Sequence, residues 1–192
     1  MEFTPRQFEI IAAAGKILTS SGLSGLTIKN LAKEMKFTES AIYRHFAGKE
    51  EIIIAMLSFL EYKLDECFSA ALISSDPEEN FKALFAAQIN YFKANPHFVV
   101  AVFLDGLMEE SQQINEHIFN IMKIMMKYLL PVIQDGQEKD VFTNTIEAET
   151  IMHIAMGAFR LHMFKWRIKK FQFDIQQTGE EMVLSILTLI KK

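Results

Sequence analysis

Apolar residues recur every three or four positions along most of the chain, which is the period of helices that bury one face. The first such segment follows Thr4 and Pro5, which suit the N-cap and first turn of a helix. Its apolar positions are Phe8, Ile11, Ala14, Ile17 and Leu18. Two glycines in the stretch SSGLSG (20–25) end this predicted helix.

Two short helices and a longer one are predicted next. Thr27 is the N-cap of the stretch TIKNLAKEM. The apolar stripe of that helix consists of Ile28, Leu31, Ala32 and Met35. After the two-residue connection KF, Thr38 caps a second short helix over 38–46. Gly48 is a tolerated N-cap for a longer helix over about 49–73.

Breaks divide the rest of the chain into five more helices. The stretch SSDPEE (74–79) supplies a Ser/Asp cap, Pro77 and two first-turn glutamates, and ANPH (94–97) is the next break. A loop is predicted for QDGQEKD (134–140), and NTIE (144–147) reads as a capping box. The predicted helices run from Pro77 to the next break, His97 to Glu110, Ile114 to Gln134, Asn144 to Lys170, and from Asp174, with Gln177 as its capping partner, to the end. No strand pair is evident, so the predicted fold class is all-α with about nine helices.

Composition supports a sizeable core in a helical protein. Half of the residues are hydrophobic and 23% are charged, while four Pro and eight Gly are few for a turn-rich β architecture. The single Cys67 excludes an intramolecular disulfide and a cysteine-cluster zinc site. The start MEFTPRQFE lacks the pattern of a signal peptide, and the longest apolar stretches are too short for a membrane span. We therefore expect a soluble cytoplasmic protein with no membrane segment.

Charge is distributed unevenly. Residues 1–50 hold seven Lys/Arg against five acidic residues, a net charge of +2 in a chain whose total is −4. A mildly basic head on an acidic body suggests that the head contacts an anionic partner.

The two short helices with a tight turn between them form a helix-turn-helix pattern. In the second helix Ile42 and Phe46 share a face with Phe37, and this face can pack on the first helix. Polar residues occupy the opposite face, where their size suits contacts to base edges and phosphates; they are Glu39, Ser40, Tyr43 and Arg44, with His45 on the flank. Lys49 begins the next helix, where free N–H groups would favour a phosphate.

At this point the stretch LTIKNLAKEMKFTESAIYRHFAGKEEI (26–52) resembles the signature of the TetR family of bacterial transcriptional repressors. The resemblance covers about residues 6–55 in motif and the rest in helix layout only. The residues that fit are Thr27, Ile28, Leu31, Ala32, Thr38, Ile42, Tyr43, His45, Phe46, Lys49 and Glu50.

Four positions depart from the family pattern. Lys36 stands where the turn usually has Gly, so either Lys36 adopts a positive φ or the turn differs. Phe37 replaces a small aliphatic residue, and Gly48 replaces Ser or Asn. Glu39 places an acid on the DNA side, where it would repel phosphate but could accept from a cytosine amino group.

The resemblance implies three parts: a three-helix DNA-binding domain over 1–50, a connecting helix over 51–74, and an effector-binding and dimerisation domain over 75–192. It also implies a homodimer that binds a palindromic duplex DNA operator and is released by a small effector. The expected DNA-binding residues are Thr27, Lys29, Lys36, Thr38, Glu39, Ser40, Tyr43, Arg44, His45 and Lys49.

The last two helices are the expected dimer interface. Each carries an apolar face, and Gly157 would permit close helix approach. The same stripes could instead pack only within their own subunit. The expected interface residues are Ile151, Ala155, Ala158, His162, Val183, Ile186, Leu187 and Ile190.

Residues 81–163 are rich in Phe and Met, which suits either a plain core or a cavity for an apolar, lipid-like or aromatic effector. The candidate effector-binding residues are Phe85, Gln88, Phe92, Phe103, Met108, His117, Met122, Met126, Met156 and Phe159. Additional polar side chains that could orient a ligand are Tyr91, His153 and His162.

No residue spacing indicates catalysis, a metal site or a cofactor. His153 and His162 are nine residues apart, which is not a zinc spacing, and GKEE lacks the rest of a phosphate loop. We therefore expect a regulator rather than an enzyme. The alternatives are a helical protein-interaction module without a DNA role and a small helical enzyme.

Overall fold

The computed structural model describes residues 3–103 and 111–192, and over these residues the chain folds into helices. The prediction of an all-α fold is confirmed. The one β feature in this part of the chain is an isolated antiparallel bridge between Phe142 and Lys191. The helices are α1 Pro5–Gly25, α2 Ile28–Met35, α3 Glu39–Tyr43, α4 Lys49–Ala71, α5 Pro77–Ala94, α6 Pro96–Phe103, α7 Gln112–Glu138, α8 Ala148–Ile168 and α9 Ile175–Ile190.

The chain forms two compact units, each made of two chain segments. Unit 1 contains Met1–Tyr62 and Pro96–Ile121, and unit 2 contains Lys63–Asn95 and Met122–Lys192. Helices α4 and α7 therefore contribute residues to both units. The domain boundaries expected from the sequence, at residues 50 and 74, remain a prediction.

In unit 1, α1 packs on both α2 and α6. Gly15 makes the approach of α6 possible, because a Cβ atom there would lie 2.8 Å from Cδ2 of His97. The His97 ring also contacts the Phe98 ring, with 4.3 Å between centroids. Burial lowers the pKa of His97 to about 4, so this imidazole is neutral near pH 7.

In unit 2, α9 packs on α5 and α8. Gly179 of α9 lies against Ile89 of α5, and a Cβ atom at Gly179 would be 2.5 Å from Ile89 Cδ1. Aromatic rings run through the core beside this contact. Their centroid distances are 6.1 Å for Phe142–Phe81, 5.1 Å for Phe81–Phe85, 5.8 Å for Phe85–Phe159 and 6.2 Å for Phe159–Phe92.

The predicted loop over 134–140 is wrong, because α7 continues to Glu138. Its Gly136 lies under the Phe142 ring, where a Cβ atom would be 2.0 Å from Cδ2. This glycine therefore serves close packing within a helix rather than a break. The chain turns only at Asp140, which has a φ of 62°.

The predicted capping box at 144–147 is also wrong. Helix α8 begins at Ala148, and Glu147 occupies the N-cap without a side-chain hydrogen bond to the helix. Gln137 holds the preceding segment out of the helix, because its Nε2 donates to the Thr143 carbonyl at 2.9 Å and the Ile146 carbonyl at 2.8 Å. The N-cap at Asp174 is as predicted, with its carboxylate accepting from the N–H groups of Gln176 and Gln177. The Gln177 side chain does not complete the predicted capping box, because its Nε2 donates to Glu181 instead.

Two other helices differ from their predicted lengths. Helix α3 ends at Tyr43 rather than Phe46, and α4 ends at Ala71. Helix α6 is described as far as Phe103, and the remainder of the helix predicted to Glu110 lies outside the described residues. Among the helices that the structure describes, none combines the length and apolar character needed to span a membrane.

The half-buried His97 makes stability depend on pH. Its pKa is depressed to about 4 in the folded state, whereas the usual value is 6.5. Between these values the unfolded chain binds a proton that the folded chain excludes, so stability falls as pH decreases from 6.5 towards 4. We expect His97→Phe to flatten this slope when the melting temperature is measured between pH 7 and pH 4. Parallel profiles for the two proteins would contradict the assignment.

Candidate nucleic-acid interface

The turn between α2 and α3 contains a Schellman motif at the C-terminus of α2. Lys36 adopts the left-handed conformation, with φ 57° and ψ 39°. The Phe37 N–H donates to the Ala32 carbonyl at 2.8 Å, and the Lys36 N–H donates to the Lys33 carbonyl at 3.2 Å. These two bonds are the pair that defines the motif. Of the two alternatives left open at Lys36, the structure shows the positive φ.

Helix α3 is short and begins directly after this turn. The Thr38 hydroxyl accepts the Ala41 N–H at 3.2 Å, as predicted for an N-cap. Ile42 and Phe46 are buried, so one face of α3 is fixed in the unit 1 core. Glu39 lies in the first turn of α3, where the helix dipole favours a carboxylate whether or not DNA is present.

The predicted DNA-reading face of α3 is accessible. Tyr43 has 53% of its surface exposed, and Glu39, Ser40 and Arg44 are exposed as well. The other predicted contacts surround this face: Thr27, Lys29, Lys36 and Thr38 are exposed, whereas His45 and Lys49 are half-buried. None of these ten side chains is buried in the core.

Helix α1 supports this surface through contacts that the sequence did not reveal. The Arg6 guanidinium lies over the Phe37 ring, 4.9 Å from its centroid. Gln7 donates from Nε2 to the His45 carbonyl at 3.5 Å. Phe37, which departs from the family pattern, is therefore covered by a cation. No local signal predicts these contacts, because 31 residues separate Arg6 from Phe37 and 38 separate Gln7 from His45.

Helix α4 begins at Lys49, a few residues after the end of α3. The Gly48 carbonyl accepts the Ile52 N–H at 3.3 Å, and Gly48 therefore caps the helix as predicted. The Glu51 carboxylate accepts the Ala47 N–H. Glu50 and Glu51 occupy the first turn together with Lys49, which limits how strongly this helix start alone could attract phosphate.

A Ser–His–Glu group also lies in unit 1, but its geometry does not suit nucleophilic catalysis. His117 Nδ1 is 2.6 Å from Glu61 Oε1 and 3.5 Å from Ser58 Oγ. A catalytic triad needs the acid and the nucleophile on different imidazole nitrogens. Here both oxygens face the same nitrogen, so the group serves as a tie between α4 and α7.

The predicted effector residues are only partly brought together. In unit 2, Phe85, Gln88, Phe92 and Phe159 are buried, and the Phe159 ring contacts both other rings. Met126 and Met156 are half-buried, and Met122 is exposed. Phe103 and His117 belong to unit 1, and Met108 lies outside the described residues. A surface cleft of about 360 Å³ is present in unit 2; it is lined by His162, Lys165, Ile168, Lys169, Phe173 and Thr178.

Most of the residues predicted for the dimer interface lie inside the subunit. Six of the eight are buried within their own subunit and cannot also contact a partner; they are Ile151, Ala155, Val183, Ile186, Leu187 and Ile190. Ala158 and His162 are half-buried. His162 Nε2 is 3.0 Å from the Thr178 hydroxyl, which itself donates to the Asp174 carbonyl at 2.8 Å.

A capped two-helix unit with polar and basic side chains on its outer face defines the class, a helix-turn-helix DNA-binding protein. Residues 10–56 match the bacterial regulatory proteins of the tetR family, and residues 59–189 match the C-terminal region of YsiA-like proteins. The chain belongs to the TetR family of bacterial regulatory proteins. The prediction of a DNA-binding transcriptional regulator is thereby confirmed at the level of the family.

Two regulators show sequence similarity to the chain. YerO of Bacillus subtilis (strain 168), an uncharacterized HTH-type transcriptional regulator, is 26% identical over 158 residues; the match covers 77% of this chain and 54% of YerO. NicS of Pseudomonas putida, an HTH-type transcriptional repressor, is 24% identical over 139 residues, covering 71% of this chain and 66% of NicS. The chain thus spans about half the length of YerO and just under two thirds of NicS.

Two solved structures share the fold. The fatty acid degradation regulator FadR from Bacillus halodurans has a TM-score of 0.86 at 19% identity, with 97% of each chain covered. FadR from Bacillus subtilis, solved in complex with stearoyl-CoA, has a TM-score of 0.81 at 14% identity, with 94% of this chain and 97% of that chain covered. At these identities the likeness establishes the fold alone.

Because Lys36 has a left-handed backbone conformation, substitutions there can separate the effect of this conformation on stability from the effect of the charge on DNA binding. We expect Lys36→Gly to raise stability by about 1 kcal/mol, because Gly adopts this conformation without steric cost. We also expect it to weaken binding to all duplexes and to reduce the slope of log affinity against log salt by about 1. Thermal melts and electrophoretic shifts at several salt concentrations provide the two measurements.

Lys36→Ala is the matched control, because it removes the charge and keeps the strained backbone. It should lose DNA affinity as Lys36→Gly does, without the gain in stability. Unchanged DNA affinity in both variants would show that Lys36 does not contact phosphate.

Proposed function

We propose that the protein is a ligand-responsive transcriptional repressor that binds a palindromic operator as a homodimer and leaves it when a small apolar effector binds. The observation that carries this proposal is the exposed outer face of α3, held by buried Ile42 and Phe46 behind the closed turn at Lys36. Action in the cytoplasm is part of the same proposal. The family assignment and the name of NicS, a repressor, support it.

The ten predicted contact residues divide by chemistry. Tyr43, His45 and Lys49 suit the phosphate backbone. Glu39, Ser40 and Arg44 lie on or at the end of α3 and suit base edges in the major groove. The remaining contacts flank this face and would set the position of the protein on the duplex; they are Thr27, Lys29, Lys36 and Thr38.

The apolar effector is proposed from the interior of unit 2. Buried aromatic rings of α5 and α8 meet there, and flat apolar walls suit an apolar ligand. Two proteins of the same fold agree with this proposal: one is a fatty acid degradation regulator, and the other was solved with stearoyl-CoA. The candidate effector contacts are therefore Phe85, Gln88, Phe92, Met126, Met156 and Phe159.

The dimer face is proposed on the outer sides of α8 and α9. Ile154, Leu161 and Ile168 follow one another at seven-residue spacing on α8 and are exposed. Leu184 and Leu189 are exposed on α9. Apart from the local backbone of α8, no atom lies within 4 Å of the position that a Cβ at Gly157 would take, so this side of α8 is open to another helix. Two such helices from each subunit would form a four-helix interface.

The reading of DNA is tested by two substitutions with different expected signatures. Lys49→Ala should weaken binding to all sequences alike and reduce the salt slope by about 1. Arg44→Ala should change sequence preference, with a cost of ~1–3 kcal/mol if it contacts a base with both nitrogens. The measurement is an electrophoretic shift with the DNA upstream of the gene and a scrambled duplex. Unchanged affinity in both variants at low salt would reject the DNA-reading assignment.

The proposed dimer face leads to a specific prediction. Leu161→Glu should give folded monomers, because the side chain is 59% exposed in one subunit but would be buried and unpaired in the dimer. A charge at buried Ile186 should instead unfold the subunit. Ile73→Glu, at a loop residue that is 90% exposed, is the matched control and should remain dimeric. Mass measurement at micromolar concentration distinguishes these results, and a dimeric Leu161→Glu protein would place the interface elsewhere.

A further inference from the structure

One buried polar atom in unit 2 lacks a hydrogen bond. Gln88 of α5 is only 6% exposed, and its Oε1 accepts no hydrogen bond. A buried amide oxygen without a donor is strongly unfavourable, because water would satisfy it in the unfolded chain. An isosteric apolar side chain at this position would avoid that cost, so the oxygen calls for a functional explanation.

The surroundings of Gln88 are aromatic. Phe85 lies three residues before it and Phe92 four residues after it, so all three side chains share one face of α5. Both rings contact Phe159 of α8, with centroid distances of 5.8 Å and 6.2 Å. The amide therefore lies on the face of α5 that carries Phe85 and Phe92, two of the rings proposed to line the effector site.

We propose that Gln88 Oε1 is the polar anchor of the effector site, and that the effector is an apolar molecule carrying a neutral hydrogen-bond donor, a hydroxyl or an amide N–H. This inference rests on the proposed function and specifies the chemistry of its ligand. A donor placed between the rings would supply the missing hydrogen bond, while the rings would cover the apolar body.

The donor is neutral because unit 2 offers no buried countercharge. Ser58 and Gln88 are the buried polar side chains among the described residues, and Ser58 belongs to unit 1. A charged group brought beside Gln88 would remain unpaired in an apolar site. The free-energy cost of burying such a charge is far larger than that of an amide oxygen without a hydrogen bond. A hydroxyl or amide N–H needs only the single acceptor that Gln88 provides.

Two isomeric probes test the proposal on the unmutated protein. 1-Dodecanol and methyl undecyl ether have the same atoms, but only the alcohol donates a hydrogen bond. We expect the alcohol to bind roughly 3- to 10-fold more tightly, the ratio that one net hydrogen bond supplies. Binding is followed by the fluorescence of Trp166, the single tryptophan, or by calorimetry.

Gln88→Met provides the second measurement, since it keeps the side-chain length and removes the amide. The variant should bind both isomers equally, and without ligand its melting temperature should rise by about 2–4 °C. Gln177→Met, at an exposed position on α9, is the matched control and should preserve the preference for the alcohol.

Each of the following outcomes would reject Gln88 as the polar anchor of the effector site. Equal binding of the isomers by the unmutated protein rejects Gln88 as anchor and leaves the apolar effector in place. Binding of neither isomer rejects the apolar effector together with the anchor, while DNA binding remains measurable separately. A lower melting temperature for Gln88→Met would show that the oxygen serves the fold rather than a ligand.

Discussion

The hydrogen bond from the Phe37 N–H to the Ala32 carbonyl fixes the direction in which the chain leaves α2. Because Lys36 is left-handed there, the chain reverses within two residues and Thr38 can cap α3 immediately. The exposed face of α3 has a defined orientation only while this turn holds. A lysine in a conformation that favours glycine has a steric cost, and a contact between its charge and phosphate would offset that cost.

Close helix packing in both units depends on glycines of a different kind. Gly15, Gly136 and Gly179 have helical backbones, and each lies where a Cβ atom would collide with a neighbouring side chain. The colliding groups are His97 and Ile89 from other helices and Phe142 from the segment after α7. A glycine in a helix has a cost in conformational entropy, which the closer contact offsets. At Gly15 this packing places α1 against His97, whose pKa is lowered by partial burial.

Local hydrogen bonds explain why much of the fold was predictable. The caps at Thr27, Thr38 and Asp174 involve partners two or three residues away, and the structure contains all three. The start of α8 was mispredicted because the Gln137 side chain keeps the preceding segment out of the helix. Its amide donates hydrogen bonds to the carbonyls of Thr143 and Ile146. Such a bond depends on where α7 passes, and no pattern within 144–147 contains that information.

The candidate site also divides into features that the local sequence predicts and features that depend on distant parts of the chain. Periodicity identified the outer face of α3, because one buried stripe leaves only one polar side on so short a helix. On α8 and α9 it selected the face that fills the subunit core, since both helices carry two apolar sides. The more regular stripe, with Ile151 and Ile186, fills the subunit core, while Leu161 and Leu184 lie outside it. Deciding between two apolar faces requires the positions of the neighbouring helices.

An effector in unit 2 can change DNA affinity only by the difference in its own affinity for two states of the protein. Contacts that are equal in both states, such as those with the aromatic rings, would increase affinity without regulating anything. An orphaned acceptor such as Gln88 Oε1 is more selective, because a hydrogen bond depends steeply on distance and angle. A state that shifts α5 relative to α8 would change that bond more than it changes the contacts with the rings. The polar anchor, rather than the larger apolar surface, would therefore determine which state the ligand favours.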